Sequence, residues 1–276
     1  MDELGAMIGI VEGAGDPLSA AVTERDRATL AMVREALKTG RLALAYQPVV
    51  LAADPARIAF HEGLIRVMDP SGRPIPARDF MGAVETRDIG RLIDCAALDM
   101  GLRALAEVPD LRLSVNMSAR SIGYPRWVKV LRDGLAAGPT IGERLILEIT
   151  ESSAMLMPEI VTAFMDDLQR QGIAFALDDF GAGFTAFRYL RDFFFDIVKI
   201  DGQFIRGIPG DPDNQVLAAA LISIGKHFDM VTIAESVETQ AEAEWLRAAG
   251  IDAMQGYLFG APTVNPAWAP GARRRA

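Results

Sequence analysis

Along this chain, short apolar runs closed by polar or glycine-containing turns alternate with longer stretches whose apolar residues recur at three- and four-residue spacing. The first helical pattern covers 25–38, with Leu30, Met32, Val33 and Leu37 on its apolar side and Gly40 as its stop. Two strand-like runs follow, at 42–50 and 58–67, with only residues 51–57 between them. Parallel neighbours need a dozen or more connecting residues, so if these two strands are adjacent they are antiparallel. Beyond them the alternation is regular. Helical patterns at about 77–85 and 89–107 lead to a predicted strand at 111–117. Three more predicted pairs follow: helix 124–135 with strand 145–150, helix 158–171 with strand 174–179, and a short helix 185–191 with strand 195–200. The last two are helix 214–228 with strand 231–234 and helix 239–249 with strand 253–258.

Eight strands, mostly separated by helices, predict an α/β fold: a closed TIM-type (β/α)8 barrel varied by its antiparallel first strand. A doubly wound open sheet is the alternative, but no Gly-rich phosphate loop follows the first strand. The expected organisation is a loose N-terminal arm at 1–24, one barrel domain at 25–266 and a flexible basic tail at 267–276.

A length of 276 residues suits one such barrel. The formal charge of −9 argues against binding extended nucleic acid through a basic surface. The single cysteine, Cys95, excludes an internal disulfide framework. It sits in the apolar pattern 92–98 and reads as a buried helix thiol rather than a nucleophile. No apolar stretch is long enough to span a membrane and the acidic, glycine-rich start is no signal peptide, so a cytoplasmic protein is expected.

The candidate chemistry lies where the strands end. Active sites of such barrels sit at the C-terminal strand ends, and polar residues recur there: Glu62, Asn116, Glu148 with Glu151, Asp178 with Asp179, Lys199 with Asp201, Glu235 with Glu238, and Gln255. On a strand, adjacent residues face opposite ways. One member of the Asp178–Asp179 pair should therefore point into the barrel while the other turns out over the rim. Taken alone, the pair fits either a metal site or solvated acids capping a strand. Five acids converging at one mouth cannot stay ionised together without divalent cations. The set is rich in carboxylates, has no cysteine, and its one nearby histidine, His61, should point away from Glu62. Such hard oxygen donors select Mg²⁺ or Mn²⁺ over zinc. Two such ions sharing an aspartate form a clamp for in-line attack on a phosphodiester. Lys199 would orient the attacking water or neutralise developing charge, or else simply pair with a carboxylate.

Eight motifs in order carry a family resemblance: Tyr46–Pro48, His61–Arg66, Ser114–Ser118, Leu147–Ser152, Leu177–Gly183, Val198–Asp201, Ala234–Thr239 and Gln255–Phe259. Over roughly residues 28–264 the chain resembles EAL domains, the bacterial cyclic di-GMP phosphodiesterases. The resemblance implies hydrolysis of cyclic di-GMP to linear 5′-pGpG with two Mg²⁺ or Mn²⁺ ions, and a homodimer. Residue by residue it makes Glu62, Asn116, Glu148 and Asp178 ligands of one metal, with Asp178 bridging to a second held by Asp179 and Asp201. Lys199 matches the lysine that holds the nucleophilic water. Glu235 matches the general base or metal-water ligand, and Gln255 the glutamine that positions it. Arg66 and Gln47 match substrate contacts, and Glu151 the residue that steadies the loop after the Asp pair. Several positions depart from the family's usual residues: Gly63, Ala182, Phe184, Ala186, Gly202, Ser236, Gly260 and Ala261. They affect the loop and substrate contacts rather than the acids, so a non-hydrolysing domain that binds cyclic di-GMP or a protein partner is the alternative. A metal-dependent phosphatase with another substrate is the third reading.

Overall fold

In the computed structural model, which describes residues 17–183, 190, 191 and 193–268, nine strands form one sheet that closes on itself. They are β1 (Leu42–Leu51), β2 (Ile58–Met68), β3 (Pro74–Pro76), β4 (Leu113–Asn116), β5 (Leu145–Thr150), β6 (Ala174–Phe180), β7 (Ile197–Ile200), β8 (Val231–Ala234) and β9 (Ala253–Gln255). From β2 through β4 to β9 the barrel strands run parallel. β1 closes the ring antiparallel to both of its neighbours, β2 and β9. This is the expected variant barrel, and the short 51–57 connection is its cause, because no crossover helix fits there. β3, which the polar residues around it hid from the pattern, extends β2 outside the ring.

Among the described residues, six long helices pack on the outside: α1 (Pro17–Thr39), α2 (Asp88–Glu107), α3 (Pro125–Leu135), α4 (Pro158–Gln169), α5 (Pro212–His227) and α6 (Gln240–Ala249). Their starts follow local chemistry. The Asp211 side chain accepts the backbone N–H groups of Asp213 and Asn214, with Pro212 at the first helical position, so α5 begins two residues before the expected Asn214. In α6, Thr239 and Glu242 form a reciprocal cap, and Gly250 at φ +84 ends the helix. α1 begins at Pro17 rather than residue 25, so residues 17–24 of the expected arm are helical. The helix expected at 77–85 is instead a 3-10 turn, Ala77–Asp79, and one α-turn, Met81–Val84, separated by the non-helical Phe80. At the other end, Trp268 packs edge-on against His61 and Tyr46, covering the outer face of β1 and β2. Packed chain thus continues past residue 266. The N-terminal residues 1–16, nearly all of the expected helix 185–191 and the Arg273–Arg275 tail lie outside the described residues.

The barrel interior is layered. Val49, Phe60, Ile146, Ala176, Ile197, Ile233 and Ala253, one from each of seven strands, form a separate apolar cluster. One pleat further toward the C-terminal mouth, the same strands present Gln47, Glu62, Glu148, Asp178, Lys199, Glu235 and Gln255. The two-residue side-chain period of a strand puts each polar residue directly above an apolar one. β4 adds Asn116, paired in register with Glu148.

Candidate active site

Lys199 is the hub of the upper layer. It is fully buried, and its Nζ lies 2.7 Å from Glu235 Oε1, 2.9 Å from Glu148 Oε2, 3.1 Å from Asp178 Oδ1 and 3.3 Å from Glu62 Oε2. A buried ammonium loses hydration worth several kcal/mol. An ionised carboxylate at ~3 Å returns on the order of 5 kcal/mol at an effective dielectric of about 20. Two such neighbours outweigh the loss. Accordingly, although burial alone would lower it, the charges of Asp178, Glu148, Glu235 and Glu62 raise the Lys199 pKa well above its ordinary value.

The acids do not share this cation equally. Burial would raise Glu62, but the Lys199 charge and hydrogen bonds from Gln255 Nε2 (2.6 Å) and Asn116 Nδ2 (2.8 Å) hold it below the ordinary range. Glu148 is pushed well up, by burial first and then by the charge of Glu62. Burial also raises Asp178 and lifts Glu235 to about 8. Asp179 rises to about 6, by burial and the charges of Asp178 and Asp201. The chain thus offers more carboxylates than one lysine neutralises, and it favours protons on several of them.

Positioning follows from the strands. In β1 and β2, Gln47 and Glu62 are directly paired, and Gln47 bridges Gln255 Nε2 (3.2 Å) to the carbonyl of Gly260 (3.1 Å). His61 points outward onto Trp268, as its place beside Glu62 requires. At the end of β6 the register with β7 shifts between Leu177 and Phe180. Asp179 there takes φ +57, so Asp178 faces Lys199 while the backbone turns Asp179 over the rim. A non-glycine residue in that region costs roughly 1–3 kcal/mol and persists only where its surroundings impose it. Glu151 Oε2 accepts the N–H of Gly181, tying the loop after β6 to β5. Gly256 lets the β9 exit pass against the chain after β8, since a Cβ there would lie 2.0 Å from the carbonyl oxygen of Val237.

The donor set fits a divalent cation. Asp178, Asp179 and Glu235 each bring a carboxylate oxygen within 4.8 Å of the others. Glu148 Oε1 is buried with no hydrogen-bond partner, whereas Asp178 Oδ1 is met by Lys199 Nζ at 3.1 Å. Buried carboxylate oxygens without donors are what a hard cation satisfies. Asp201 stands slightly apart: its Oδ1 accepts the Gln203 N–H as a turn cap, and its charge is felt at Asp179.

Above the acids opens a cleft of about 590 Å³, lined by Gln47, Glu62, Arg66, Asp178, Asp179, Glu235 and Gln255 among the expected residues. The same wall includes Arg78, Arg206, Ser236, Glu238 and Tyr257. Of these, Ser236 stands out in the sequence only as an unusual residue and Glu238 only as a polar strand end. Arg78, Arg206 and Tyr257 stand in turns or irregular chain, where no periodicity marks which way a side chain points.

Comparison with known proteins places this geometry. The family model described as EAL domain matches residues 30–262. The chain is 32% identical over 235 residues to the bifunctional diguanylate cyclase/cyclic di-GMP phosphodiesterase MucR of Pseudomonas aeruginosa, covering 83% of this chain and 34% of that protein. It is 29% identical to the cyclic di-GMP phosphodiesterase PdeF of Escherichia coli, over 83% of this chain and 31% of PdeF. The chain therefore spans about a third of the length of the curated relatives it matches. Among solved structures, the PaMucR phosphodiesterase in complex with c-di-GMP superposes with a TM-score of 0.78 at 30% identity, over 86% of this chain and 97% of that one. The c-di-GMP-bound EAL domain of FimX from Pseudomonas aeruginosa superposes with a TM-score of 0.77 at 25% identity, over 86% and 96%.

Proposed function

The chain belongs to the EAL domain family, and on that premise we propose that it hydrolyses cyclic di-GMP to linear 5′-pGpG with two Mg²⁺ or Mn²⁺ ions. The observation that carries this reading is the convergence of Glu62, Glu148, Asp178 and Glu235 on Lys199 beneath a ligand-sized cleft. Glu62, Asn116, Glu148 and Asp178 would hold one ion, and Asp178 with Asp179 and Asp201 the other. When bound, the ions supply charge neutralisation of the phosphate and a water acidic enough to act as nucleophile at neutral pH.

The chain's own groups do the rest. Arg66 engages a phosphate oxygen and Gln47 the nucleotide, fixing the diester over the acids. Lys199, immobile among its carboxylates, holds the incoming water in line with the P–O3′ bond. Glu235, at the edge of the cleft and 2.7 Å from Lys199, would be ionised once divalent charge occupies the site and would then accept the proton of that water. Gln255 keeps the water and this carboxylate in place, and Glu151 steadies the loop that bears Asp179 and Gly181. Water oxygen joins phosphorus, the P–O3′ bond breaks, and the departing 3′ oxygen takes a proton from solvent water to become a hydroxyl, giving a 5′-phosphate. Chromatography of cyclic di-GMP incubated with protein and Mg²⁺ or Mn²⁺ tests this: pGpG is expected. Tight nucleotide binding without product from folded, metal-loaded protein would establish the non-hydrolysing alternative. The family likeness also implies a homodimer, checked by light scattering at micromolar protein.

A further inference from the structure

The loops that leave β7 and β8 at the cleft are built around one arginine. Arg206 lines the cleft, and its Nη2 donates to Ser236 Oγ at 3.1 Å, while Nε lies 4.0 Å from Glu238 Oε1. The next residue, Gly207, donates its N–H to Glu242 Oε1 at 2.7 Å. The other oxygen of that buried carboxylate accepts from the N–H groups of Glu238 and Thr239, each at 2.9 Å. One carboxylate therefore clamps the loop bearing Arg206 to the loop bearing Ser236 and Glu238.

Ser236 is held there against its backbone preference, at φ +57, where glycine would be unstrained. Its hydroxyl fits only because residue 202 is glycine: a Cβ at Gly202 would lie 2.4 Å from Ser236 Oγ and 2.5 Å from its Cβ. Gly202 and Ser236 are thus one structural exchange, made to set a hydroxyl against the guanidinium. Strain retained at a cleft points to use.

The neighbouring charge says what Arg206 meets. In the eight-strand ring, β7 is diametrically opposite β2, so Arg206 faces the cleft from the side across from Arg66. A phosphate at Arg206 would be repelled by Glu238. The edge of a guanine presents acceptors, O6 and N7, beside a donor, N1–H, and matches an arginine next to a carboxylate. We propose that Arg206 is a specificity-determining residue that reads the O6/N7 edge of one guanine, with Glu238 accepting from N1–H and Ser236 as the positioning residue. This rests on the cyclic di-GMP reading of the site.

The test compares cyclic di-GMP with bis(p-nitrophenyl) phosphate, a phosphodiester without a purine, in the full chain with Mn²⁺. For Arg206→Ala, the ratio of kcat/KM for cyclic di-GMP to that for the aryl ester should fall about tenfold or more, mainly through KM. Arg206→Lys should not rescue it, since an ammonium lacks the planar fork. Ser236→Gly, which removes the strain and the anchor together, should raise KM by a smaller factor. Equal losses on both substrates would make Arg206 a phosphate contact and overturn the proposal, as would no change on either. Wild-type turnover of the aryl ester without turnover of cyclic di-GMP would refute the underlying reading of the site, and the proposal with it.

Discussion

The barrel holds two interior layers that differ by one pleat. Below, Val49, Phe60, Ile146, Ala176, Ile197, Ile233 and Ala253 fill the space with hydrocarbon, as a small barrel must. Above, the same strands place four carboxylates, two amides and one lysine: Glu62 and Gln255 are each 4% exposed and Glu148 and Lys199 not at all, while the Asp178 and Glu235 side chains are 13% and 17% exposed at the cleft. Burial alone therefore does not decide residue type here. The lower layer is what folding favours. The upper layer costs several kcal/mol per buried ion that partners must return, and its residual proton affinity shows that the chain's own partners return it only in part. A region that folding disfavours, mounted on one that folding favours, is a site kept for chemistry.

Exchanging the character of the layers is the severest way to break that contrast. Ile233→Asp places an unpaired charge in the dry layer and should cost about 4 kcal/mol or more, seen as a collapsed urea midpoint or no folded protein. The reverse change, Glu148→Leu, extends the hydrocarbon upward; at pH 8 its urea midpoint should equal or exceed the wild type, while cyclic di-GMP turnover falls about a thousandfold. Lys199→Met should cost turnover on the same scale. A Glu148→Leu protein that is both active and less stable would erase the distinction between the layers.

A pH series sharpens it at intermediate size. Glu235, raised to about 8, and Asp179, raised to about 6, hold protons in the folded chain that the unfolded chain has already lost. Their stabilising contribution is complete below about pH 4 and is lost as pH rises through 6 and then 8. In chelator, thermal stability should thus fall from pH 6 to pH 8.5, by on the order of 2 kcal/mol, and Mn²⁺ should restore it most at the higher pH. Glu62 and Lys199, shifted outside this window, add no slope there. A flat profile in chelator would contradict the charge balance drawn for the upper layer.

The smallest effect concerns Gly63, beside Glu62. A Cβ there would meet the Ser114 carbonyl oxygen at 3.2 Å and the Cδ1 atoms of Leu113 and Leu44 at 3.4 Å, tight contacts that a shift of a few tenths of an ångström relieves. Gly63→Ala should change stability by less than about 1 kcal/mol, the entropy gain in the strand offsetting the crowding.

The layered barrel was largely legible in the sequence because a strand's two-residue period forces position: once Ile146 lies inside, Glu148 does too, and once Ala253 does, so does Gln255. His61 was placed outward by the same rule. What has no period was not legible. The helical start at Pro17 rests on alanine propensity and a proline first turn rather than an apolar stripe. Arg78 and Arg206 reach the cleft from turns, and the dependence of Ser236 on Gly202 is a contact between residues 34 apart in sequence that only packing reveals.

Anomalous scattering from Mn²⁺-bound crystals would show whether the polar layer is a divalent-metal site. Two strong peaks are predicted at the top of the barrel, both in contact with Asp178, one reaching Glu62, Asn116 and Glu148 and the other Asp179. Crystals that show Lys199 alone among the carboxylates, with manganese only at surface acids, would contradict it.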